Sequence, residues 1–337
     1  MSGAVPSDFL AQPSIDAGLA KEVQEALDHV EKLLRETVSS SDPLLTEAAS
    51  HLLSAGGKRF RASLVLLASH FGDPHAPELV RAAAVVELTH VATLYHDDVM
   101  DEAELRRGEP SANQRWGNSV AILTGDYVFA RASEILADLG TDAVRMQART
   151  FGRLVQGQIL ETAGPQDGAD PLEHYLRVIS DKTASLIASS AEFGAMFSRS
   201  GPQITRTITR ACDALGMAFQ LADDILDVAG ESSESGKVPG TDLREGVLTL
   251  PMLYALRPAD AGGAADGRLR ELLGRPLDDA ETEEALALLR SHTAMEEARR
   301  TTREWADQAR AELATLPAGP PRAAFEALCD YVVRRTG

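Results

Sequence analysis

Almost every long segment of this 337-residue chain repeats its apolar residues at intervals of three and four, while runs alternating with period two are hard to find. That spacing lays an apolar stripe along a helix and cannot cover one face of a sheet, so the chain reads as all-α. Helices are expected near 17–38, 43–54, 60–70, 77–101, 117–138, 141–162, 171–199, 203–228, 247–257, 280–315 (with a break) and 322–335. Turn residues separate them at Gly72-Asp73-Pro74, Gly164-Pro165-Gln166-Asp167-Gly168 and Gly319-Pro320-Pro321. Two irregular stretches remain: 230–240, rich in Ser and Gly, reads as a lid, and 258–267 as a surface loop. With no internal repeat and no clear linker, 17–337 reads as one large helical domain behind a flexible N-terminus, 1–16.

Charge narrows the partners. Fifty-one acidic against 33 basic side chains give a net charge of -18, which argues against nonspecific binding to nucleic acid or anionic lipid. Cys212 and Cys329 lack the spacing of a zinc site or a disulfide framework. The first twenty residues have no basic start and carry Asp8 and Asp16, and no window approaches the roughly 18 apolar residues of a membrane span. A cytoplasmic protein without a membrane span is expected. Only five lysines occur, Lys21, Lys32, Lys58, Lys182 and Lys237.

Two acidic groups carry the chemistry. His96-Asp97-Asp98-Val99-Met100-Asp101 closes one helix, and Gln220-Leu221-Ala222-Asp223-Asp224-Ile225-Leu226-Asp227 lies in another. Residues four apart share a helix face, so Asp97 pairs with Asp101, and Asp223 with Asp227 and Gln220. Uncompensated carboxylates at that spacing repel, and hard oxygen ligands of this kind suit magnesium bridging to phosphates. Either group alone could be a solvated helix face. Both, however, follow apolar helical runs, Val91 to Tyr95 and Met217 to Phe219, that should line a core or cavity. Asp278-Asp279, after Pro276, reads instead as a helix cap.

Three lysines fall beside suggestive sequence. Gly56-Gly57-Lys58-Arg59-Phe60-Arg61 reads as a helix opening with three cations in four residues, a natural anion site whose bland alternative is a basic surface turn. Arg106-Arg107-Gly108 follows Asp101, Lys182-Thr183 reads as a helix start, and Lys237 stands among glycines beyond Asp227. Together they describe a cavity with two acidic and at least two basic patches. One diphosphate can be held there through magnesium and another directly by Lys and Arg.

The stretches GGKRFR (56–61), YHDDVMDEAELRRGEPSAN (95–113), GDYVFARA (125–132), KT (182–183), FQLADDILD (219–227) and GKVPGTDLREGVLTLP (236–251) resemble the trans-isoprenyl diphosphate synthase (polyprenyl synthetase) family over about residues 20–335. Departures are small: Ala62 and Val238 stand where the family usually has proline. The resemblance implies a bundle of long helices round a deep central cavity, the isoprenoid synthase fold, usually as a homodimer. It makes Asp97, Asp101 and Asp223 the main ligands of Mg2+, three ions per site with substrate bound, supported by Asp98, Asp224 and Asp227. It gives the allylic diphosphate to Arg106, Lys182, Thr183, Gln220 and Lys237, and isopentenyl diphosphate to Lys58, Arg61, His90 and Arg107. Lys182, Lys237 and the six acids form the expected catalytic set.

Product length is expected to follow the helix wall before Asp97. Thr93 and Ala92 lie about one turn away and Thr89 about two, and none is aromatic. In the family, bulky residues four or five positions before the first aspartate resemble a floor that stops growth at farnesyl. The channel here should therefore admit products longer than C15, with Phe129 as a deeper floor or a plain core residue. A class I terpene cyclase would lack the Lys58/Arg61 pocket and the second acidic motif. A noncatalytic partner subunit of a prenyl synthase complex should have lost acids or cations that this chain keeps.

Overall fold

The structure is a computed structural model that describes residues 9–10, 12–230, 239–257 and 264–336. Helices α1 (Ala17–Val38), α2 (Pro43–Ser54), α3 (Phe60–Ser69) and α4 (Leu79–Met100) precede a hairpin of β1 (Leu105–Arg106) and β2 (Glu109–Pro110). Next come α5 (Ala112–Trp116), α6 (Asn118–Leu139), α7 (Thr141–Ala163), α8 (Pro171–Ile179), a π-helical turn (Ser180–Ala184), α9 (Ser185–Phe197) and α10 (Pro202–Ala229). The rest is α11 (Thr241–Glu245), α12 (Leu250–Ala255), α13 (Ala264–Leu272), α14 (Asp279–Ser291), α15 (Ala294–Leu313) and α16 (Pro320–Arg334). Among the described residues the fold is all-α apart from that hairpin.

The long helices stand close to their expected limits because local chemistry starts and stops them. Asp16, Asp42 and Asp170 each accept a hydrogen bond from a first-turn amide, of Leu19, Leu45 and Leu172. Asp278 forms a capping box with Glu281, so this acid pair is the structural cap its sequence suggested. The exceptions are short: α5, α11 and α13 offer too few residues for a periodic signal. Ala264 to Gly267, read as loop, open α13. Of the stretch 230–240, residues 231–238 lie outside the described residues, and of 1–16 so do 1–8 and 11. Phe9 and Ile15 are buried, so packing begins before residue 17.

Helix α4 is buried on all sides from Ala82 to Tyr95, as an all-round apolar helix must be in a bundle. It packs against α6, α3 and α9, while α9 also packs on α3 and α10, and α10 on α15. The core has two parts that meet along α10, one around α1, α3, α4 and α9, the other around α12 to α15. Each fully buried Leu or Phe there contributes about 1.5–3 kcal/mol. The two central helices, α4 and α10, thus carry their acidic motifs at the ends of buried apolar runs. Among the described residues no helix is long and apolar enough to cross a membrane.

Candidate active site

Helix α4 loses its burial at the acidic motif. Asp97 is half-buried, Asp98 buried and Asp101 exposed, and the Asp101 amide donates to the Asp97 carbonyl at 2.8 Å to close the last turn. Burial raises the Asp97 carboxyl, Lys182 opposes the shift, and Asp101 adds to it. Asp98 Oδ1 accepts from Arg106 Nε at 2.5 Å, while its Oδ2 is buried without a hydrogen-bond partner. The three acids therefore divide: Asp97 and Asp101 face the cleft, and Asp98 anchors the hairpin.

That hairpin was not foreseen, and it decides where two cations go. Arg107 and Gly108 form its two-residue turn with φ of 56° and 81°, both left-handed. Arg106 pairs with Asp98. Arg107 turns the other way and donates to the carbonyls of Leu52, at 2.6 Å, and Gly56, beside the basic turn.

On α10 each acid also has its own partner. Asp224 is buried, accepting from Gln220 Nε2 at 2.8 Å and from the Tyr175 hydroxyl. Burial pushes its carboxyl up to about 7 against those two donors, with Asp223 and Asp227 adding to the rise. Asp227 accepts from the amides of Thr241 and Asp242, each at 3.2 Å. Asp223 pairs with Arg335, 2.9 Å from Arg335 Nη2 to Asp223 Oδ1. The motif's i,i+4 spacing holds, but its members are claimed by different elements.

Lys182 and Thr183 do not start a helix. They occupy the π-helical turn that joins α8 to α9, where the chain bulges past Gly157 of α7. A Cβ at Gly157 would stand 2.6 Å from the Lys182 backbone nitrogen, so only glycine admits this approach. The Lys182 ammonium pairs with Glu161, and Thr183 Oγ1 donates to Gln220 Oε1 at 3.1 Å. Lys182, Thr183, Gln220 and Asp224 line the polar side of a pocket of about 310 Å³ whose apolar side includes Val178, Ile179 and Leu253. Lys237 lies outside the described residues.

The second basic group assembles around the start of α3, which begins at Phe60, after Lys58, with Arg59 left-handed at φ 45°. Arg59 is structural, pairing with Glu31 at 2.8 Å and donating to Leu53 O at 3.1 Å. Burial lowers Arg61 to about 10, with Glu87 opposing and Arg107 assisting. The imidazole of His90 is driven well below its usual value by burial, then by Arg61 and Arg107, which keeps it neutral. Glu87, three residues earlier on the same face, is buried and accepts from Ala62 N at 3.0 Å, an N–H that proline would not supply. Sequence spacing could have flagged Glu87; Tyr175, Glu161 and Arg335 left no local signal.

Along the wall, Thr89, Ala92 and Thr93 are buried. Thr93 donates to His90 O and Thr89 to Val85 O, both at 2.8 Å, and Gln147 Nε2 reaches Thr89 Oγ1 at 2.7 Å. Phe129 is half-buried, packs on Phe151 at a centroid distance of 4.3 Å and borders a shallow depression with Asp126 and Ser133.

Both acidic groups act on one further carboxyl. Glu245 is raised first by burial, then by Asp101 of the first motif and Asp227 of the second, with Arg106 opposing. The motifs therefore face a common cleft. Among the described residues no three acid, His or Cys side chains converge as a closed metal cage. The half-buried Asp97, the buried Asp98 Oδ2 without a hydrogen-bond partner and the oxygen-only donor set are of the kind that would suit magnesium.

The polyprenyl synthetase family model matches residues 42–289. A nonaprenyl diphosphate synthase of Mycobacterium tuberculosis is 49% identical over 96% of each chain. Geranylgeranyl pyrophosphate synthase of Corynebacterium glutamicum, solved with calcium and isoprenyl diphosphate, superposes with TM-score 0.85 at 45% identity, covering 96% of this chain and 98% of that one. A decaprenyl diphosphate synthase of Rhodobacter capsulatus gives TM-score 0.86 at 38% identity, covering 95% and 99%. With two acidic motifs across one cleft and a separate basic cradle, the chain belongs to the polyprenyl synthetase family of trans-prenyltransferases.

Proposed function

We propose that the protein condenses isopentenyl diphosphate with an allylic prenyl diphosphate, head to tail and trans, to give a polyprenyl diphosphate longer than C15. The observation that carries this reading is the pocket that Lys182, Thr183, Gln220 and Asp224 line together, with Arg106 tied to Asp98 of the first motif and Arg107 turned to the basic group at the start of α3. Asp97, Asp101 and Asp223 hold Mg2+, and Asp98, Asp224 and Asp227 support them directly or through water. When bound, magnesium neutralises the departing diphosphate as a Lewis acid. Three such ions per site with substrate bound are part of this reading.

Arg106, Lys182, Thr183, Gln220 and Lys237 hold the allylic diphosphate, and its C–O bond breaks with both electrons leaving on oxygen. Lys58, Arg61, neutral His90 and Arg107 hold isopentenyl diphosphate so that its double bond meets the allylic cation. A carbon–carbon bond forms, and the proton then lost from the isopentenyl unit passes to the released diphosphate. Relatives named as geranylgeranyl, nonaprenyl and decaprenyl diphosphate synthases support a chain beyond C15. We place the reaction in the cytoplasm, in a homodimer.

The test is incubation with labelled isopentenyl diphosphate, magnesium and separate C5, C10, C15 and C20 primers, followed by sizing of the products. Asp97→Ala or Asp223→Ala should lower turnover by roughly 10²-fold or more while the protein still folds. Near-normal turnover in either variant would remove the assignment, and no elongation with any primer would favour a noncatalytic subunit.

A further inference from the structure

We propose that Arg335 holds the place of the divalent cation at Asp223, so that this carboxylate accepts a metal together with a diphosphate and resists the metal alone. The inference rests on the metal-assisted reading above. Arg335 follows the last turn of α16, more than a hundred residues from the motif it enters. Its Nη2 lies 2.9 Å from Asp223 Oδ1, with the two side chains only 15% and 10% exposed. The guanidinium carbon stands 5.6 Å from the ring centres of both Phe219 and Tyr331, so rings as well as charge fix it there. Asp224 accepts from Tyr175 and Gln220, and Asp227 from the start of α11, while Asp223 meets the guanidinium of Arg335.

The pair is poised for exchange. Arg335 Nη1 is buried without a hydrogen-bond partner, and the 2.9 Å contact of Nη2 with Asp223 Oδ1 is one of charge rather than an aligned hydrogen bond. A magnesium ion arriving alone must displace the guanidinium and leave it buried with no counter-charge, the costly way to break such a pair. Magnesium arriving with a diphosphate brings both signs, a cation for Asp223 and an anion for Arg335. Phe219, one of the two rings beside the guanidinium, stacks in turn on Phe60, the first residue of α3, at 5.3 Å.

The experiment is calorimetric titration of the full chain with magnesium alone and with magnesium plus inorganic diphosphate, supported by the magnesium-induced rise in Tm. Arg335→Met keeps an apolar stem on the two rings, and Arg335→Gln is the second neutral variant. Arg334→Gln removes the same charge one residue away, where the side chain is exposed and, among the described residues, meets Gln12 at 3.5 Å. Both Arg335 variants should bind magnesium alone several-fold more tightly than wild type and show a larger Tm rise. That gain should vanish or reverse once diphosphate is present, and Arg334→Gln should stay near wild type. Equal affinity for magnesium alone, an equal gain in Arg334→Gln, or a gain unchanged by diphosphate overturns the proposal. Failure of wild type to bind magnesium even with diphosphate instead removes the metal-assisted reading itself.

Discussion

His90 sits among cations in the basic cradle, and its neutrality has a measurable consequence. Burial first, then Arg61, Arg107 and Arg106, lower its folded value well below 6.5. Below pH 6.5 the unfolded chain takes up a proton that the folded protein refuses, so stability falls as pH falls, by up to about 1.4 kcal/mol per pH unit until the folded value is reached. Above 6.5 the effect is absent. Urea melts of His90→Gln should show a flatter acid limb than wild type, and superimposable pH profiles would contradict the assignment. Spacing placed His90 on the Asp97 face, two turns away, but the charges that keep it neutral come from two other segments, the start of α3 and the hairpin.

At the scale of elements, one irregular turn matters more than any long helix. The π-helical turn puts Lys182 close enough to Asp97 to oppose its rise, and Gly157 lets it pass. Gly157→Ala should cost about 1–3 kcal/mol by overpacking and lower kcat/KM for the allylic substrate. Gly152→Ala on the same helix, where nothing lies within 4 Å of the added carbon, should be neutral or up to about 1 kcal/mol stabilising. Equal effects in thermal melts and kinetics would show that the close approach is unimportant. The wall of α4 carries its own prediction: Thr93→Phe should shorten the product toward farnesyl, read by sizing the chains. Unchanged length would mean that growth does not run along this face. Helix limits were legible because caps and apolar periods are local, whereas the π turn and the Arg107-Gly108 hairpin arise from packing against other elements.

Across the whole molecule, most large exposed apolar side chains gather on α6 and α7: Ile122, Leu123, Val144, Val155 and Ile159, with Leu123 65% and Ile159 60% exposed. Isolated apolar residues on a surface need no explanation, but a group on two consecutive packed helices fits a covered face. If the proposed homodimer uses this face, Leu123→Asp combined with Ile159→Asp should halve the mass seen by light scattering without unfolding the chain, and an unchanged mass would remove this face as the contact. A net charge of -18 is compatible with the proposed diphosphate site, because cations fall locally at Lys58, Arg61, Arg106, Arg107 and Lys182. The sequence by itself determined the helical class, both acidic motifs and the cationic segments, since each depends on spacing within a few turns. Only the tertiary structure decided the partners: Asp98 with Arg106, Asp224 with Tyr175, Lys182 with Glu161 and Asp223 with Arg335. A local period can put a carboxylate on a face, but the charge that meets it there comes from whichever distant element the packed core brings alongside.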